Sequence, residues 1–213
     1  MNSIIRYGKI FFVLLRTGFV RNTAYPGTFF IAIFAKMLRS SLVVFLFIAF
    51  FEQVTTFAGW SFQEILFLSA TYLSLEFLAT VSFHRNLSYY FPRSLKNGEF
   101  DFRLTKPVPL LFLTSLEHID WYDISSLFPL IALWITIFVK YDFSVSVLPL
   151  LQYFFFAGIG LILFFSALLF LTSTAFWTIN TSGVGRFFEG MLRQTKYPTS
   201  IFSGPVGFFV RFV

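Results

Sequence analysis

The 213-residue chain contains no cysteine, which excludes a disulfide framework and any Cys-ligated metal centre. Charge is also scarce. Asp, Glu, Lys and Arg make up 12% of the residues and hydrophobic ones 57%, against about 25% and 45–50% in a soluble domain. The two histidines, His84 and His118, stand far apart. His118 lies close to Glu117, Asp120 and Asp123, which are metal-ligand types, but no second His occupies a ligand spacing. The three carboxylates recur every third residue and read instead as one face of a solvated helix beside the membrane, with Asp123 suited to capping the next helix. No GxxxxGK[ST] phosphate loop, HExxH pair or GxSxG elbow occurs, and Gly183, Gly185 and Gly190 miss GxGxxG because position 188 is Phe. These absences argue against catalysis, nucleotide hydrolysis in particular, by this chain itself.

What is abundant is apolar and aromatic: 35 Phe and a mean hydropathy of +0.77. The expectation is an all-α integral membrane protein. Full spans are predicted over residues 28–51, 62–83, 124–139 and 145–171. A fifth apolar run starts near Ile201. Its thirteen remaining residues reach ~20 Å as a helix, against a hydrocarbon core of ~30 Å, so the chain is expected to stop inside a span. Residues 1–20 read as an amphipathic helix lying in the interface, with Arg6, Lys9 and Arg16 within about 80° of one another. The Tyr25-Pro26-Gly27 turn, closing the segment 1–27, directs the chain into the bilayer. The apolar run 10–15 is too short for a signal peptide core.

Two polar intervals separate the spans. Residues 85–122 hold Arg85, Arg93, Lys96, Arg103 and Lys106, and residues 172–200 hold Arg186, Arg193 and Lys196. With four basic residues before the first span, twelve of the sixteen Lys and Arg fall on one side of the membrane. By the positive-inside rule that side, with the N-terminus, is cytoplasmic. The basic pI of about 9.7 follows from the same asymmetry and is not read as a sign of nucleic acid. The organisation is a single transmembrane domain over 1–213, not several.

Three charged residues fall within spans. Lys36 and Arg39, three apart on the first, line a path, meet a partner helix or snorkel to the headgroups; snorkelling is the preferred reading. Glu76 on the second is a proton or substrate site, or closes a pair with Lys36 or Arg39. Residues 96–107 are the remaining feature. Asn97-Gly98 makes a turn, Phe100, Phe102 and Leu104 alternate with polar residues, and Lys106-Pro107-Val108-Pro109 stiffens the exit. Such a rigid, amphipathic cytosolic segment suits a groove on another protein.

This stretch, SLKNGEFDFRLTKPVPLLF, resembles the G-[LF]-D-x-x-L-x-[KR]-P signature of the membrane subunits of ABC-2-type ATP-binding-cassette transporters. The matching residues are Gly98, Phe100, Asp101, Leu104, Lys106 and Pro107, with Glu99 inserted. Gly59-Trp60-Ser61 followed by Glu64-Ile65 is similar to the family's GWS-x-x-EI segment, and Phe176-Trp177 with Tyr197-Pro198 to its FW…YP pattern. The family has six spans, so the resemblance implies a C-terminally truncated member.

It further implies a permease subunit, not an enzyme, in a bacterial inner or plasma membrane, paired with a second, identical or different, permease subunit. Separate ATPase subunits, which carry the ATP and Mg, would dock on the loop at 94–109 and on a second cytoplasmic loop containing Arg186, Glu189, Arg193, Tyr197 and Pro198. No cofactor or metal is expected on this chain. The usual role of the family is export of hydrophobic or lipid-like molecules. The competing classes are a secondary transporter, which would often show internal repeats, and a membrane-embedded lipid enzyme, which would need a nucleophile–base pair.

Overall fold

The computed structural model describes residues 3–54, 56, 57, 59–140, 146–178, 190 and 197. Among them the regular elements are helices, joined by short turns and irregular segments, with a single bridge between Phe57 and Trp60. Four helical stretches are long and apolar enough to cross a membrane: Pro26–Phe51, Phe62–His84, Trp121–Lys140 and Val147–Phe176. They coincide with the four predicted full spans. The fifth apolar run and the helix expected over 187–194 lie outside the described residues.

Helix α1 (Ser3–Thr23) precedes the first span, α2 (Pro26–Phe51), with Pro26 in its first turn. There the missing N–H of proline costs nothing. A tight turn then leads into α3 (Phe62–Ala79). Gly59 takes a φ of +86°, favoured only without a Cβ. Ser61 and Glu64 form a reciprocal capping box at the start of α3, satisfying two of the free N–H groups at that end.

Contrary to expectation, the chain does not leave the helix at Arg85. Two π-helical segments, Thr80–His84 and Asn86–Tyr90, carry it on into α4 (Phe91–Lys96). The physical reason is that the polar residues here find partners inside the protein. Asn86 donates to the carbonyls of Ser82 and His118 and accepts from the His118 amide. Hydration is therefore not needed to satisfy them.

Short helices α5 (Phe100–Leu104) and α6 (Leu110–Leu116) follow. The predicted solvated helix over Glu117–Asp123 is not formed. Helix α6 ends first, and Asp120 and Asp123 are buried. A 3-10 turn, Trp121–Ser126, lengthens the third span into α7 (Leu127–Lys140). Asp123 sits within that turn and serves as an ion-pair partner, not as the cap expected of it. The fourth span is α8 (Val147–Ser173), continued by the 3-10 turn Thr174–Phe176.

Helix α3 is the centre of the bundle. Its Leu66, Ala70 and Leu73 pack on Leu130, Leu133 and Ile137 of α7. Its π-helical extension contributes Leu87, which packs on Leu168 of α8 with Phe83, Phe164 and Phe165 around them. Two hydrogen bonds tie the helices at depth: Trp134 Nε1 donates to Ser74 Oγ at 3.0 Å, and Tyr153 Oη to Thr71 Oγ1 at 3.3 Å. In a bilayer such bonds, together with close packing, take over the role that water exclusion plays in a soluble core.

Candidate functional site

Residues 91–123 form a folded platform at one end of the bundle. Helix α4 ends in a Schellman motif. The Glu99 amide donates to the Ser94 carbonyl at 2.9 Å and the Gly98 amide to Leu95 at 3.2 Å, with Gly98 at φ +73°. That pattern needs a left-handed residue at this position, so the glycine of the signature is there for the turn.

The turn folds α5 back against α4. Phe100 is buried, with its ring 5.8 Å from Phe91 and 5.4 Å from Phe176 at the foot of α8; Phe91 and Phe176 are themselves 5.7 Å apart. Arg103 is buried on the same side. It donates to Ser94 Oγ at 2.9 Å and pairs with Glu117 at 2.8 Å. Lys106 reaches the other Glu117 oxygen at 3.5 Å. The Pro107 carbonyl accepts from Arg6 of α1.

The alternation Phe100, Phe102, Leu104 is therefore not the pattern of one extended strip. On a helix the three residues part. Phe100 turns inward, while Phe102, 72% exposed, and Leu104, 58% exposed, project outward beside exposed Asp101. The signature thus mixes two roles: Gly98, Phe100, Lys106 and Pro107 build the platform, and Asp101 and Leu104 stand on its outer surface.

Behind the platform lies a buried ionic cluster that sequence reasoning did not assemble. Arg85 pairs with Asp120 and, at 3.7 Å, with Asp123, and bonds to Tyr122 Oη. Lys36 pairs with Asp123. Burial works against the charge on Arg85, but Asp123 and Asp120 outweigh it and hold its pKa above the ordinary value. Arg21 and Asn22 of α1 both bond Asp120. Arg21 Nη1 lies 2.6 Å from His118 Nδ1. Burial first, and Arg21 second, push the His118 pKa down, so the imidazole is neutral and accepts from the guanidinium. The three-residue spacing of Glu117, Asp120 and Asp123 was the available signal. Its significance is charge pairing, since five cations, Arg21, Lys36, Arg85, Arg103 and Lys106, come to these three carboxylates from other segments. Among the described residues no group of three His, Asp or Glu side chains gathers as a metal site.

Lys36, Arg39 and Glu76 do not form one constellation. Lys36 turns to Asp123, while Arg39 pairs with Glu76 at 2.5 Å. Both are ion pairs within the spans, where snorkelling was the preferred reading for the two cations. The partners are within reach because α2 lies against α3 and the start of the third span. Of the second loop, Arg186, Glu189, Arg193 and Pro198 lie outside the described residues, and Tyr197 is half-buried. Both rings of the Phe176-Trp177 pair are exposed, and Phe176 also lies against Phe91 and Phe100.

Four candidate spans with a folded platform at one end define a polytopic membrane protein. The family model described as ABC-2 family transporter protein matches residues 37–213, and the chain belongs to that family, whose members are membrane permeases. Comparison with curated proteins and with solved structures gave no significant match.

Proposed function

We propose that the chain is a transport permease subunit whose outer platform surface, Asp101, Phe102 and Leu104, docks a separate ATPase. The observation that carries this reading is the placement of two large apolar side chains on an anchored helix. Phe102 and Leu104 are exposed, while Phe100 and Arg103 of the same helix are buried and paired. A pre-ordered apolar projection loses little entropy on binding and suits a pocket on a partner. In this scheme ATP and Mg belong to the ATPase, and the chain binds no cofactor of its own. A second permease subunit completes the pathway. The basic asymmetry supports a cytoplasmic N-terminus, platform and segment 172–200. Export is the direction proposed.

The test is co-purification in mild detergent with the ATPase subunit encoded alongside. Phe102→Asp with Leu104→Asp should abolish ATPase recovery while membrane insertion and monomer yield stay normal. Undiminished recovery would exclude this surface as the docking site.

A further inference from the structure

The Arg39–Glu76 pair lies deep in the spans. Arg39 is thirteen residues from Pro26 and twelve from Phe51, the ends of α2, about 20 Å from either end. Glu76 is fourteen residues from Phe62 and eight from His84, the limits of its span, about 21 and 12 Å. Yet the pair is not enclosed: the Arg39 side chain is 60% exposed and that of Glu76 32%. Hydrocarbon cannot solvate a guanidinium at that depth, and such groups face protein or water. The other cation of α2 does not share the problem, since Lys36 closes on buried Asp123.

The surroundings of Arg39 fit a protein surface. No residue in the most apolar stretch of α2 is buried by the chain itself, whereas α3 and α7 each bury a face. Ala35, Leu46 and Phe50, at i−4, i+7 and i+11, are exposed on the same side as Arg39. A small residue beside the charge lets another helix approach closely. The flank of α2 toward α7 differs. There a cleft of about 540 Å³ is lined mainly by apolar side chains such as Leu42, Phe45, Ile48 and Leu133, which acyl chains can fill.

We propose that the face of α2 and α3 carrying Arg39 and Glu76 packs against a second copy of this chain, across a two-fold axis that sets each pair against its counterpart. An Arg–Glu pair is its own complement under such an axis: Arg39 of one copy meets Glu76 of the partner subunit, and the reverse. Four charges then neutralise one another away from lipid. This inference rests on the permease reading, in which membrane subunits work in pairs, and it locates the pairing.

Two differently tagged versions of the full chain are co-expressed, extracted in mild detergent and purified on one tag. Wild type should carry its twin along. Arg39→Glu places two acidic groups on each copy and Glu76→Arg two basic ones. Each variant alone should lose self-association by about tenfold or more, because like charges face one another. Mixing the Arg39→Glu chain with the Glu76→Arg chain should restore co-purification. In that mixture the pair within each chain is still broken, so recovery cannot come from refolding of the single copy. A wild-type chain that does not carry its twin overturns the proposal. So does association that ignores the charges, which would instead assign the pair to a water-filled path. ATPase recovery from the same wild-type extract reads the docking surface independently, so failure of the pairing and failure of the permease reading are told apart.

Discussion

Gly18 sits where α1 touches the segment before the third span. A Cβ built there would lie 2.5 Å from the Ile119 carbonyl oxygen, a distance that only displaced backbone can relieve. Gly8, on the same helix, has nothing within 4 Å of the corresponding position. The two glycines therefore predict opposite results from one substitution. Gly18→Ala should destabilise the protein by about 1–3 kcal/mol through overpacking, lowering the melting temperature by about 2–4 °C per kcal/mol. Gly8→Ala should be neutral or stabilising by up to about 1 kcal/mol, since alanine favours the helix. Thermal unfolding of both variants in one detergent checks this, and equal shifts would contradict the close approach. Nothing in the sequence around Gly18 distinguishes it from Gly8, because the atom that requires it lies about a hundred residues away. The capping box at Ser61 and Glu64 is different. Its S-x-x-E spacing ahead of an apolar run is a local signal, legible without any tertiary contact, as is the Gly98 turn.

At the scale of the element, α1 is fastened along its length. Arg6 holds the Pro107 carbonyl, Tyr7 lies against Phe112, and Trp121 Nε1 donates to the Leu15 carbonyl at 2.9 Å. Arg21 engages His118 and Asp120. Its outward side mixes Lys9 and Arg16 with Ile5, Phe12, Val13 and Val20, rather than separating a basic face from an apolar one. Amphipathic periodicity made the helix visible; the cations that leave the surface for partners were not visible, because those partners lie in a segment read as solvated.

One of these fastenings depends on pH. The groups facing His118 are Arg21, Arg103, Glu117, Asp120 and the Tyr90 ring at 3.9 Å. Folding lowers the His118 pKa below its ordinary 6.5. The unfolded chain thus binds the proton first on acidification. The contribution of the neutral imidazole is complete above about pH 6.5 and fades as pH falls toward the folded value. Melting temperature should drop between pH 7.5 and 5.5 in wild type and drop less in His118→Asn. Identical pH profiles would remove His118 from this role.

For the whole molecule, the important fact is continuity. The second span runs without a break from Phe62 through the π-helical turns to Lys96, so the platform is a prolongation of a membrane helix. Between Arg85 and Lys96 the interruption that read as a loop is chemical, not conformational: polar residues such as Arg85 and Asn86 find partners within the protein on a continuous helix. A second connection comes from α8, whose foot brings Phe176 against Phe91 and Phe100. The platform is thereby attached by backbone to the second and third spans and by ring contact to the fourth. Under the proposed function, movement of a docked ATPase reaches α3 by the first route and α8 by the second.

Phe176→Ala should cut only the second. Two aromatic contacts amount to about 1–3 kcal/mol, comparable with a coupling energy that changes a response by about 5–150-fold. ATPase co-purification should be retained, because Phe102 and Leu104 are untouched. The readout is thiol labelling of a single cysteine introduced at Ala157 on α8, with and without nucleotide. Its nucleotide-dependent change should shrink at least about fivefold in the variant, while the same change at a cysteine introduced at Leu78 on α3 persists. Equal attenuation at both sites would mean that the platform moves the bundle as one body and that the ring contact carries nothing of its own.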